Sequence, residues 1–210
     1  TGMTGDYTCN YASAGTYTVR IADNIGNNTG FPRIFFNDSG DRRKVLSVDQ
    51  WGTGQWTSMA HAFQGCRVLD ITASDTPDLS GVTDMSYMFD SVEFLNVSIN
   101  SWDTSAITNM SHLFAGAFDF NQPLNNWDVS NVIDMSFMFG GANDFNQPLS
   151  SWDVSKVTNM SYLFYATDAF NQALSTWDTS NVTDMSYMFA NAESFNQDLS
   201  AWNTSNVTTM

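Results

Sequence analysis

The chain has 210 residues, of which 42% are hydrophobic, and a formal net charge of −15. This length accommodates one domain, or a small cap joined to a repeat array. No run of about 18 apolar residues occurs, and no basic segment followed by an apolar one stands at the start, so we expect no membrane insertion within this chain.

The charge is distributed unevenly along the chain. Residues 1–67 contain five acidic and six basic side chains, whereas residues 68–210 contain seventeen acidic side chains and a single base, Lys156. An acidic surface repels polyanions, so we expect no nucleic acid and no anionic membrane as a partner. It favours cations or basic partners.

Residues 1–50 are predicted to form a small β-rich N-terminal cap. Apolar residues alternate in "GTYTVRIAD" (15–23), and "FPRIFFN" (31–37) and "KVLSVDQW" (44–51) also predict strands. Such a cap would cover the apolar end of a repeat array. The two cysteines, Cys9 and Cys66, would form one disulfide in a secreted protein; two separate thiols, with Cys66 buried, are the alternative.

A repeat array follows over residues 51–210. A degenerate copy begins near Trp51, and about six rungs follow one another, a rung being one repeat of 25 residues. The sequence stops in mid-repeat, so the array is expected to be either truncated or uncapped, with another copy packing there. Three columns recur at 25-residue spacing and are predicted to form the core: Met85, Met110, Met135, Met160, Met185 and Met210; Trp102, Trp127, Trp152, Trp177 and Trp202; Phe89, Phe114, Phe139, Phe164 and Phe189.

Apolar spacing within the rung predicts its local structure. Val82, Met85 and Phe89 stand at i, i+3 and i+7, which predicts a short helix, and "FNQPL" predicts a short strand-like segment. Stacked units of this kind bury each other's apolar faces. We therefore predict an α/β solenoid, a leucine-rich-repeat-like right-handed coil with one short strand and one short helix in each rung.

The repeats resemble those of a known family. "FNQPLNNWDVSNVIDMSFMFGGA" (120–142) and its copies are similar to the repeats of BspA-like leucine-rich-repeat surface proteins, and the segment from "FPRIFFNDSG" onward resembles the region that precedes them. The resemblance implies a secreted or cell-surface protein of adhesion type. It implies no enzymatic activity and transfers no catalytic residue.

One column is a candidate binding surface. It lies two residues after each methionine and is expected to point away from the core of a helical rung. Aligned rings give a flat contact area at low entropic cost, although they could equally serve only to cover one another. We call these six residues the ring column: His61, Tyr87, His112, Phe137, Tyr162 and Tyr187.

A second column offers candidate metal ligands. Carboxylates on adjacent rungs repel one another, and calcium held by hard oxygen ligands would relieve this. Hydrogen bonds from the backbone two residues on are the simpler explanation. We call these four residues the turn aspartates: Asp103, Asp128, Asp153 and Asp178.

Two functions remain as alternatives. The first is a non-enzymatic, extracellular or cell-surface binding protein of adhesin type, whose partner is a protein or glycan on another cell or matrix. The second is a structural subunit or stalk of a surface filament, in which copies join through exposed solenoid ends. No catalytic or phosphate-binding motif supports an enzyme.

Overall fold

The computed structural model describes residues 13–19 and 33–210. Its regular elements are a 3-10 helix, Arg42–Lys44, and two short strands, β1 (Ser47–Val48) and β2 (Asp70–Ile71). The strands pair in parallel, with Ser47 opposite Asp70 and Val48 opposite Ile71. Residues 13–19 and 33–210 contain no α-helix, and hence none that could cross a membrane.

The rungs stack on one another through isolated parallel bridges. After a bridge between Gln55 and Asp78, the bridges recur at one position of every rung. This places each 25-residue rung directly on the next one. The bridged residues, called the bridge row below, are Asp84, Asn109, Asp134, Asn159, Asp184 and Thr209.

The prediction of one helix and one strand per rung is wrong. In an α-helix each N–H bonds to the carbonyl four residues earlier. Here the N–H of Met85 donates instead to the carbonyl of Asn109 in the next rung, at 3.0 Å. The alternate N–H groups close tight turns within the rung, as Met88 does onto Met85 at 3.2 Å. The backbone N–H groups that an α-helix would need therefore donate to the next rung instead. Each rung consists of turns and coil, and bridges join it to its neighbours.

The described part of the predicted cap is not β-rich. Residues 16–19 and 33–36 form no strand, while residues 1–12 and 20–32 lie outside the described residues. Phe36 donates its N–H to the carbonyl of His61 at 3.2 Å, so this segment lies directly against the first rung. Within the described part of the cap the one strand is β1, and it pairs with β2 inside the array. The boundary at residue 50 stays a prediction.

The predicted core columns are buried from Met85 to Trp177. The phenylalanines stack face to face, with ring centroids 5.7 Å apart between Phe114 and Phe139 and between Phe139 and Phe164. Four tryptophans donate from Nε1 to a carbonyl of the preceding rung, as Trp152 does to Leu124 at 3.1 Å; they are Trp127, Trp152, Trp177 and Trp202. The polar atom of the largest side chain is thereby satisfied inside an apolar core.

Candidate functional site

The six rings of the ring column form one continuous stack. Neighbouring centroids are separated by 4.7, 4.2, 4.8, 5.5 and 4.9 Å in order from His61 to Tyr187. Four of the five contacts are close to parallel, and that between Phe137 and Tyr162 is tilted by 31°. The rings from His61 to Tyr162 are half-buried, while Tyr187 is 59% exposed. The sequence predicts a column that points away from the core, whereas five of its six rings are half-buried.

The backbone of every ring-column residue is left-handed. Their φ angles lie between 55° and 57°, a region that bulky residues rarely occupy. This conformation aims the N–H along the stack, so that Phe137, for example, donates to the carbonyl of Ser161 at 2.9 Å. The left-handed backbone therefore directs these side chains away from the core. The helix predicted from the sequence is not needed to explain their direction.

The choice of rings at these positions is costly for the backbone. An L residue in this region costs roughly 1–2 kcal/mol, which glycine avoids. At a second left-handed position four residues later, three rungs have glycine and three do not; the residues are Gly65, Ser91, Gly116, Gly141, Ala166 and Asn191. A stacked aromatic pair returns about 0.5–1.5 kcal/mol beyond the area that it buries. Stacking thus offsets much of the strain, but a glycine column would have avoided it altogether.

The stack determines which parts of the rings remain available. Each inner ring has both faces covered by its neighbours, so the column presents ring edges, hydroxyl groups and imidazole nitrogens. Gly140 leaves room for the ring of Phe137, because a Cβ at that position would overlap it. Tyr165 flanks the same ring, with centroids 5.7 Å apart. A ligand would therefore lie along the edges of the rings and would not insert between them.

Carboxylates accompany the ring column on both sides. From Asp84 to Asp184, the bridge-row residues lie three residues before the rings from Tyr87 to Tyr187, and Asp90 lies three residues after Tyr87. From Asp84 to Asp184, each bridge-row side-chain oxygen accepts the N–H of the serine two residues on, as Asp134 does from Ser136 at 2.8 Å. Because Asp and Asn alternate in this row, a charge recurs in every second rung.

The flanking carboxylates affect the pKa values of two column residues. Burial, followed by the charges of Asp90 and Asp134, raises the pKa of Tyr87. Burial lowers the pKa of His112, and the same two carboxylates oppose that shift. The imidazole of His112 is therefore neutral near pH 7, lying between the rings of Tyr87 and Phe137.

The N-terminal segment contacts the first ring. Phe35 meets His61 edge-on with centroids 5.8 Å apart, and the guanidinium of Arg33 lies 3.9 Å from the centre of the Phe35 ring. On its other side, Nδ1 of His61 lies 2.7 Å from Oε1 of Gln64, whose Nε2 donates to Asp90 at 2.8 Å. Both histidines of the column are thus held by neighbouring rings, and His61 also by Gln64.

An asparagine column that recurs beside the core has a structural role. Oδ1 of Asn146 accepts the N–H of Asn171 at 3.0 Å and Nε2 of Gln172 at 2.9 Å. Asn146 in turn donates its own N–H to Asn121 at 3.1 Å. This side-chain ladder replaces the strand predicted for the "FNQPL" segments.

The turn aspartates make local hydrogen bonds. Asp103, for example, accepts the N–H of Ser105 at 3.0 Å and its hydroxyl at 2.7 Å. The serine hydroxyl, and then the serine N–H, hold the pKa of Asp103, Asp153 and Asp178 below its usual range. Within the part of the chain that the structure describes, no three His, Cys, Asp or Glu side chains are grouped to hold a metal ion. The calcium site stays a prediction.

Only one of the two cysteines of the predicted disulfide lies among the described residues. Cys66 lies fully buried within the first rung and pairs with no cysteine among the described residues, whereas Cys9 lies outside them, so the disulfide stays a prediction. Burial raises the pKa of Cys66 to about 12. A thiol of this kind behaves as a small apolar core residue.

Comparison with known proteins identifies one family. A family model described as "Mycoplasma protein of unknown function, DUF285" matches residues 57–169 and 147–210, which together cover most of the chain. Neither the curated proteins nor the solved structures include a match. The likeness to BspA-like surface proteins accordingly stays a prediction.

Proposed function

We propose that this chain, which belongs to the DUF285 family, is a non-enzymatic binding protein whose ring column contacts the ligand. The supporting observation is that all six rungs carry a ring at a left-handed position where glycine is cheaper. Backbone strain kept at the same place in every rung points from the outlier to a function. The proposed location is the cell surface or the extracellular space, as in proteins of adhesin type.

The chemistry of the column supports binding over catalysis. Aromatic edges and hydroxyls supply contact area at low entropic cost. His112 stacks between Tyr87 and Phe137, and His61 is held by Gln64. These contacts orient each imidazole as a surface group, with no hydrogen bond to a nucleophile among those described. The proposed partner is a protein or glycan on another cell or matrix.

A glycan and protein array with matched variants tests the proposal. Replacing Phe137 and Tyr162 together by glycine removes two adjacent rings and suits their left-handed backbone. The control is Phe118→Ser, which removes an aromatic ring that is 45% exposed outside the column. We expect a ligand that is bound by the wild type and the control and is lost from the double variant. The absence of any ligand for the folded wild type, or equal binding by all three proteins, would refute the proposal.

Self-assembly through rung faces is the second candidate. The rungs repeat one sequence, so the face that a rung of one copy presents resembles the face on which its own neighbour packs. Size-exclusion chromatography and negative-stain microscopy over a range of protein and calcium concentrations would detect this. Strict monomers throughout would exclude filament formation by this chain.

A further inference from the structure

We propose that the ring column binds an extended polypeptide segment rich in arginine or lysine. The aliphatic stems of the basic side chains would lie along the ring edges, and their charged ends would pair with the flanking carboxylates. This inference rests on the proposed binding function and adds the chemical class of the partner.

Charge complementarity selects a basic occupant. Asp84, Asp134 and Asp184 lie three residues before their rings, and all three are half-buried. The one base after residue 67 is Lys156, and its Nζ is already bound to Oδ1 of Asn131 at 2.7 Å. This part of the chain therefore has no free lysine or arginine to neutralise the carboxylates beside the rings. Burial of these charges under a neutral partner would cost free energy that a basic partner offsets.

The edge-on presentation of the rings suits long basic side chains. Because neighbouring rings cover both faces of each inner ring, stacking by a flat sugar or nucleobase is blocked along the column. Arginine and lysine carry three or four methylene groups that pack on apolar surface while the charged end stays in contact with polar groups. A row of ring edges bordered by carboxylates provides both kinds of contact.

The chain itself places a segment against one end of the column, with a phenylalanine on the first ring and an arginine beside it. The segment from Arg33 to Phe36 lies against the first rung, and Phe35 meets the ring of His61 edge-on. Arg33 lies over Phe35, and its Nη2 donates to the carbonyl of Ala60 at 3.4 Å. A segment carrying arginine beside an apolar residue thus already occupies the position next to His61.

The spacing of the carboxylates predicts the spacing of the basic residues. Charged members of the bridge row are two rungs apart, and the two ring separations between Tyr87 and Phe137 are 4.2 and 4.8 Å. Two rungs therefore span about 9 Å. A polyproline II segment repeats its side-chain direction every three residues, with a rise of roughly 3.1 Å per residue, or about 9.3 Å. A basic residue at every third position would meet successive carboxylates.

Fluorescence anisotropy with synthetic peptides tests the inference. The probe is a labelled peptide of Arg-Pro-Pro repeats, and ~9 residues at roughly 3.1 Å each are long enough to follow the column. One comparison peptide carries glutamine in place of arginine, and another has the same composition with its arginines adjacent. We expect the periodic arginine peptide to bind about tenfold more tightly than the glutamine peptide and to lose affinity as salt rises.

Two matched triple variants locate the interaction on the protein. The test variant replaces Asp84, Asp134 and Asp184 by asparagine, and the control replaces three turn aspartates, Asp103, Asp128 and Asp178, in the same way. Both remove three charges, and both keep an oxygen for the serine N–H, since Asn159 and Asn203 make the same bond naturally.

The expected result is a loss of about tenfold in affinity for the bridge-row variant and less than about twofold for the control. Equal losses in the two variants would reduce the effect to net charge and overturn the proposal. So would equal affinity for the arginine and glutamine peptides. A neutral array ligand that needs Phe137 and Tyr162 would leave the binding function standing and refute the basic partner alone.

Discussion

The left-handed backbone at Phe137 predicts that glycine is more stable than alanine at this position, the reverse of their usual order of stability. In most helices and strands glycine is less stable than alanine by roughly 0.5–1 kcal/mol. At Phe137, where φ is 57°, we expect Phe137→Gly to be more stable than Phe137→Ala. The reason is that alanine keeps a Cβ, which this conformation strains, whereas glycine has none.

The magnitude follows from the contacts of the ring. Either substitution removes the stacks on His112 and Tyr162, at 4.8 and 5.5 Å, and two such pairs contribute about 1–3 kcal/mol. Alanine additionally retains a left-handed cost of roughly 1–2 kcal/mol, while glycine loses about 0.5–1 kcal/mol more entropy on folding. The glycine variant should therefore exceed the alanine variant by ~0.5–1 kcal/mol in free energy of unfolding.

Urea unfolding followed by tryptophan fluorescence measures this difference. Ile133 provides the control, because it is 49% exposed and is not among the residues with positive φ. There the ordinary rank should hold, with Ile133→Gly less stable than Ile133→Ala. A glycine variant at residue 137 that unfolds at the same or a lower urea concentration than the alanine variant would refute the strain argument.

Two further predictions concern buried titratable groups. Because burial lowers the pKa of His112, the unfolded chain binds this proton more readily, and stability should fall as the pH drops below about 6.5. His112→Tyr should flatten that slope between about pH 7.5 and 5.5 in urea titrations, and an unchanged slope would contradict the assignment. Cys66, with its pKa raised to about 12, should react with a thiol reagent in a Cys9→Ser variant only after unfolding. Prompt labelling of the native protein would contradict its burial, and recovery of both thiols from the denatured wild type would exclude the disulfide.

The sequence predicts the core contacts well at positions where every repeat has an apolar side chain of similar size. The columns of Met135, Phe139 and Trp152 had to be core, because only stacked rungs can bury so many apolar residues in constant register. Their burial is confirmed. The ring column was also recognisable as a row, since its spacing equals the repeat.

The backbone could not be read in the same way. Apolar residues at Val82, Met85 and Phe89 have helical spacing, yet their segment is a chain of turns with alternate N–H groups directed to the next rung. The periodicity of side chains does not tell whether a donor bonds within its own segment or across the stack. The residue types of Tyr87 and Phe137 do not predict a positive φ, because bulky aromatic residues rarely adopt it. The ladder of Asn146 and Gln172 likewise has no signature beyond its repetition.

The two acidic rows differ in a way that burial explains. The turn aspartates occupy four successive rungs and are exposed, so water screens their mutual repulsion. The bridge row from Asp84 to Asp184 is half-buried, which strengthens the interaction between like charges, and there it alternates Asp with Asn. Asparagine at Asn109 and Asn159 keeps the hydrogen bond to the next serine while it removes the charge. The alternation therefore relieves repulsion without weakening the turn, and it leaves carboxylates two rungs apart. That interval, set by the stability of the stack, is the spacing that a basic ligand would have to match.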